Sequence, residues 1–200
     1  MAAGAIVSIC AVALSALSMG SCAKRTLGDP IRLGIMPDVD SLPFMVAAEE
    51  GLFAREGVQV ELISFSNAQE REAAIQAGQL DGAISDLLAV AFSAASGFDM
   101  VVTSATDGRY GIATAPGSGL QTIQQLQGKT IAMSTNTIIQ YAVDSFTKAA
   151  GIPQDGYTVA AVPKMPVRME MLLAGQVDAA GLPEPFLSVA IARGATMVAS

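Results

Sequence analysis

One phrase occurs twice in this chain, and it restricts the fold more than any other feature. Residues 77–83 read AGQLDGA and residues 174–180 read AGQVDAA, so five of the seven letters agree. Solenoid repeats recur every 20–50 residues or so, and this spacing is longer. Each copy has the form of a helix end followed by a strand start. Gly78 and Gly175 stand where a helix wants a left-handed terminal residue. Arg71 and Arg168 each stand six residues before their Ala-Gly-Gln, on matching helices. The phrase therefore marks the second helix and return strand of a β-α-β-α-β unit. Such units build parallel sheets through right-handed crossovers. Two copies imply an α/β protein with two similar lobes.

Periodicity supplies the elements of the first unit. IRLGIM (31–36) reads as a buried strand, and FMVAAEEGLFAREG (44–57) has helical spacing. VQVELISF (58–65) alternates as a strand. NAQEREAAIQAG (67–78) reads as a helix, with Asn67 at the N-cap and Glu70 three residues on in a capping box. LDGAIS (80–85) is a short strand and 87–97 a helix. DMVVTSA (99–105) and RYGIATAP (109–116) read as strands, and 118–128 as a helix closed by Gly128. The pattern then restarts with strands at 129–134, 157–163, 176–182 and 195–200. Helices at 138–151, 166–175 and 186–194 separate them. Lobe 1 is expected at 31–110 and lobe 2 at 111–200, with a crossover near 105–117 acting as a hinge.

Composition excludes several functions. There is no histidine, which removes the common general base and the nucleophile systems that depend on it. Neither a phosphate-binding P-loop nor a G-x-G-x-x-G after a strand occurs. Net charge is −7 and the basic residues are scattered, so nucleic acid is not an expected partner. Residues 1–22 carry no charged side chain, and residues 5–20 form an apolar run short for a membrane span. That run suits a secretory signal, and MGSC at its end resembles a bacterial lipobox. Residues 1–22 are read as a signal peptide, Cys22 as the lipidation site and 23–30 as a linker. Cys10 falls inside the apolar run, so nothing after residue 22 can form a disulfide within the chain.

In open α/β sheets, ligands bind beyond the carboxyl ends of the strands. The loops at those ends supply the candidate ligand-binding residues. Asp38, Asp40 and Ser41 follow the first strand. Their oxygens suit a ligand amine, although capping of the next helix would use the same residues. A metal on Asp38 and Asp40 is the weaker reading, because a hard cation wants about six oxygens. Ser85 and Asp86 end a strand in an apolar context, as a helix cap or as ligand contacts. Ser134, Thr135, Asn136 and Thr137 put hydroxyls, an amide and free N–H groups at one helix start. Glu184 is held between Pro183 and Pro185. It suits a ligand or lobe–lobe contact, or simple exposure. Asp81 and Asp178, at strand starts, are read as structural. No catalytic residue, cofactor or metal is expected. The cleft loops carry Asp38, Asp40, Asp86 and Glu184 without a Lys or Arg. That charge favours a neutral or amine-bearing ligand, unless Arg109 or Arg168 reaches the cleft.

LPFMVAAEEGLFAREGVQVEL, AAIQAGQLDGAISD, TIQQLQGKTIAMS and LLAGQVDAAGLPEPF, in that order, resemble type II periplasmic substrate-binding proteins. The similar branch serves ABC importers of nitrate, sulfonates, taurine and thiamine-precursor pyrimidines. The resemblance covers roughly residues 30–200. It implies a two-lobed clamp, exported and lipid-anchored at the periplasm or cell surface, that hands a small molecule to an ABC permease. Glu184 could then also meet the permease. Members of that family usually run further, finishing lobe 2 and returning to lobe 1, so a fold truncated at the C-terminus is expected. An enzyme of thiamine-pyrimidine or menaquinone chemistry and an extracellular sensor domain are the alternatives.

Overall fold

The computed structural model describes residues 28–200. The signal peptide, Cys22 and most of the 23–30 linker lie outside the described residues. A first sheet contains β1 (Ile31–Ile35), β2 (Val60–Ser64) and β3 (Gly82–Ala83) in the order β2-β1-β3, all parallel. Its helices are α1 (Leu42–Glu49), α2 (Leu52–Arg55), α3 (Ala68–Gln76) and α4 (Leu87–Ala95). A second sheet contains β4 (Tyr110–Thr114), β5 (Thr130–Met133), β6 (Thr158–Ala161), β7 (Ala179–Pro183) and β8 (Thr196–Ala199). Its order is β6-β5-β7-β4-β8, and β4 runs antiparallel to both neighbours. The helices here are α5 (Ile138–Ala149), α6 (Met165–Leu173) and α7 (Phe186–Ala192).

The repeat is visible in the topology. β6-β5-β7 in the second sheet matches β2-β1-β3 in the first, each with the earliest strand of its unit in the middle. The two aspartates of the phrase make the same joint. Asp81 accepts the backbone N–H of Arg32 in β1 at 2.7 Å, and Asp178 accepts that of Thr130 in β5 at 2.8 Å. Each carboxylate ties the start of the return strand to the start of the central one.

Strand alternation divides the second unit's core between two faces. Ile112, Ile131 and Ala179 face α5, where Ile139 and Val143 are buried. Ala113, Ala132 and Ala180 face the other way, against Leu172 of α6 and Leu187 and Ala190 of α7. The first unit has a smaller buried cluster of Ala74, Ile75 and Leu80.

Four elements depart from the periodicity. The helix expected over 44–57 is broken into α1 and α2, because Gly51 adopts a left-handed φ of 66° between them. DMVVTSA forms no strand, and Val101 is 87% exposed without a pairing partner. The helix expected over 118–128 contracts to a 3-10 turn at Ile123–Leu126, with Thr122 and Gln125 forming its capping box. LDGAIS pairs only through Gly82 and Ala83. Of the box at Asn67, the first half forms: Asn67 accepts the N–H of Glu70 at 3.0 Å, while the Glu70 carboxylate takes the Ser66 hydroxyl.

Candidate functional site

The carboxyl ends of β1, β3, β5 and β7 open into one cleft between the two units, with a cavity of about 50 Å³. From the first unit come Asp38, Asp40, Arg71, Ser85 and Asp86. From the second come Tyr110, Ser134, Thr137, Met165 and Arg168. A hydrogen bond from the Gln69 side chain to the Thr135 carbonyl, at 3.2 Å, spans the two units beside it.

Local chemistry decides which polar groups remain available. The Ser41 hydroxyl is buried and accepts the N–H of Met36, locking the β1–α1 loop. Asp38 accepts the Ser41 N–H at 3.0 Å, and Asp86 caps α4 through the N–H of Ala89 at 3.0 Å. Asp40 lines the cleft with no hydrogen bond among the described residues. Thr137 caps α5 through the N–H of Ile139 and pairs with the Ser134 hydroxyl at 2.8 Å. Asn136 is exposed, with φ 56°, and reaches a neighbouring hollow beside Phe92 instead of the main cleft. Glu184 does not line the cleft: its carboxylate accepts the N–H and hydroxyl of Ser188 in α7.

Two arginines alter the charge expected of this site. The loops alone carry only acids, but Arg71 on α3 and Arg168 on α6 both line the cleft. The inference from unopposed acids against an anionic ligand therefore loses its ground. The signal that could have found them lies in the repeat, since both stand at the same offset from Ala-Gly-Gln. Arg71 is fully engaged: it donates twice to Glu72, to the Ser85 hydroxyl at 3.0 Å and to the Met36 sulfur. Arg168 is 0% exposed, donates one hydrogen bond to the Val162 carbonyl, and has Nε and Nη2 without a partner among the described residues.

Burial sets the protonation of the cleft. It pulls the Arg168 guanidinium down to about 10, which leaves it charged at neutral pH. Burial, reinforced by Asp40, Asp86 and Asp38, pushes the Tyr110 phenol up to about 12. Burial also raises the Asp38 carboxyl, against the hydrogen bonds from Ser41 that favour its charged form. The folded chain therefore holds the Asp38 proton more tightly than the unfolded chain does. Stability from this group falls as pH rises from the ordinary Asp value, about 3.9, through the raised folded one. Asp38→Asn keeps an acceptor for Ser41 and removes the charge. Urea midpoints of the variant should lose that downward slope, and an unchanged slope would refute the assignment.

The two units and the cleft between them form the type II periplasmic-binding-protein fold. The alkanesulfonate-binding protein SsuA of Xanthomonas axonopodis pv. citri, bound to MOPS, superimposes with a TM-score of 0.68 at 21% identity, covering 84% of this chain and 60% of that one. The aliphatic sulphonate-binding SsuA of Escherichia coli gives 0.68 at 19%, covering 85% and 56%. PhnD1 of Prochlorococcus marinus, in complex with methylphosphonate, gives 0.65 at 13%, covering 84% and 71%. The chain thus spans less than two thirds of the length of either SsuA protein. The chain belongs to the NMT1/THI5-like family, whose model matches residues 38–196. A 54-residue stretch is 44% identical to the nitrate import ATP-binding protein NrtC of Synechococcus elongatus, covering 27% of this chain and 8% of that protein.

Proposed function

We propose that this chain is the extracytoplasmic solute-binding part of an ABC importer, taking a small organic molecule between its two lobes. The observation that carries this reading is the cleft built by strand ends of both units, largely apolar with several polar groups set in its wall. The two lobes close on the ligand about the crossover that precedes β4, the 105–109 part of the 105–117 segment, because Tyr110–Thr114 is bound into the second sheet. The chemistry is binding and closure, with no covalent step. Asp40 accepts a ligand amino group, as in an aliphatic amine or an aminopyrimidine, while Asp38 and Asp86 add negative potential beside it. The Ser134–Thr137 pair offers hydroxyl contacts from the opposite wall. The bound form presents itself to a membrane permease, and Cys22 carries the lipid that keeps the protein at the membrane.

A thermal-shift panel of amines, aminopyrimidines, amino acids and sulfonates tests the binding reading. A ligand at 100 times its dissociation constant adds about 2.7 kcal/mol to stability. Silence across the whole panel would reject solute binding by this chain. For the anchor, intact mass of the membrane fraction should lose the acyl increment in Cys22→Ala, and equal masses would reject lipidation.

A further inference from the structure

The repeat supplies an internal control for Arg168. Its counterpart Arg71 has two acidic or hydroxyl partners, Glu72 one residue later and Ser85 fourteen residues later. Counting the same offsets from Arg168 gives Met169 and Leu182. Both partner positions are thus apolar in the second unit, and both residues are buried there. The second unit repeats the arginine but has hydrophobic side chains at both of those partner positions. A buried guanidinium with two nitrogens that have no partner among the described residues is strongly destabilising unless a partner arrives. The cleft is where that partner can come from, because Arg168 lines it, as do Ser134 and Thr137.

We infer that Arg168 is the anchor for an oxyanion of the ligand, a carboxylate, sulfonate or phosphonate, held by its free Nε and Nη2 edge. This rests on the solute-binding reading above and narrows it. With Asp40 facing an amino group from the other lobe, the ligand is dipolar: an oxyanion toward lobe 2 and an amine toward lobe 1. A fork of donors fits an oxyanion in two-point geometry, which a lysine could not reproduce.

The test uses the whole chain and three matched sets of probes. The first holds amino acids and aminoalkanesulfonates, the second their amine-only analogues, and the third their neutral amides. Melting shifts and titration calorimetry are read on the parent, Arg168→Met and Met169→Glu. Arg168→Met removes the guanidinium in a similar volume, so the empty protein should fold at least as well as the parent. Met169→Glu keeps Arg168 but supplies it with the internal carboxylate that Arg71 has. The expected result is a shift by a dipolar probe on the parent, none by its amine-only or amide analogues, and binding weakened about 30-fold or more in both variants. If amine-only or neutral probes bind the parent and both variants alike, the oxyanion anchor is wrong while solute binding stands. If no probe in any set binds the parent, both readings fall. The comparison of probe sets on the parent decides the question even where a variant does not fold.

Discussion

Truncating Leu172 to alanine should lower the unfolding free energy by about 2–5 kcal/mol. Leu172 lies on α6 and is 0% exposed, packed with Ala132, Ala180, Leu182 and Leu187. Two of these four neighbours, Ala132 and Ala180, are alanines, which have no spare side-chain length to move into a vacated space. The cavity should therefore persist, and the cost should sit toward the upper part of that range. Leu172 also holds down the helix that carries Arg168, one turn earlier on the same face. Urea unfolding should show a lower midpoint with an unchanged slope. Leu87→Ala is the control, because Leu87 is 72% exposed and should change stability by about 0.5 kcal/mol or less. Equal costs for the two truncations would contradict the packing described for α6.

Replacing Gly181 by valine should cost about 3 kcal/mol and disturb the cleft as well as the core. Gly181 lies in β7 on the face that packs against α5, as Ala179 does. A Cβ there would come within 2.7 Å of Val143 Cγ2 and 2.9 Å of Ile139 Cγ2. Both neighbours are β-branched residues of α5, with little rotamer freedom in a helix. They cannot swing aside, so α5 itself must move out. The N-terminus of α5 carries Thr137, whose hydroxyl joins Ser134 in the wall of the cleft. The variant should thus lose stability and ligand affinity together. Gly181→Ala adds less bulk and should do both to a smaller degree. A valine variant as stable as the parent would show that α5 packs less closely on β7 than the geometry requires.

The sequence made the architecture readable because the chain states it twice. The Arg-to-Gly helix, the Gly stop and the Asp-led strand recur, and the Asp81 and Asp178 joints give both copies one geometry. Local periodicity was weaker where glycine or pairing decides the outcome. The apolar face of 44–57 continues through Gly51, yet its left-handed backbone ends α1. DMVVTSA has strand composition, but a strand needs a neighbour as well as a composition. At the site, the strand-end rule located Asp38, Asp40, Ser85, Asp86, Ser134 and Thr137 at the cleft. It could not tell which were already occupied, since that depends on contacts such as Ser41 with Met36 or Glu184 with Ser188. Arg71 was missed as a site residue, and Arg168 entered only as an exception to the charge argument, because both stand on helices, away from the loops where the rule looks. Their different fates follow from partners that only the folded chain brings together.

The two sheets are unequal in depth. The first has three strands, one of them two residues long, over a cluster of three buried side chains. The second has five strands filled on both faces. Cooperativity should differ accordingly, with the smaller unit opening by local fluctuations that leave the larger one intact. A molecule gripped by both would then do more than occupy space. It would lend the thin unit the persistence of the thick one, and the tightness of binding would register as slowed amide exchange in β1 to β3.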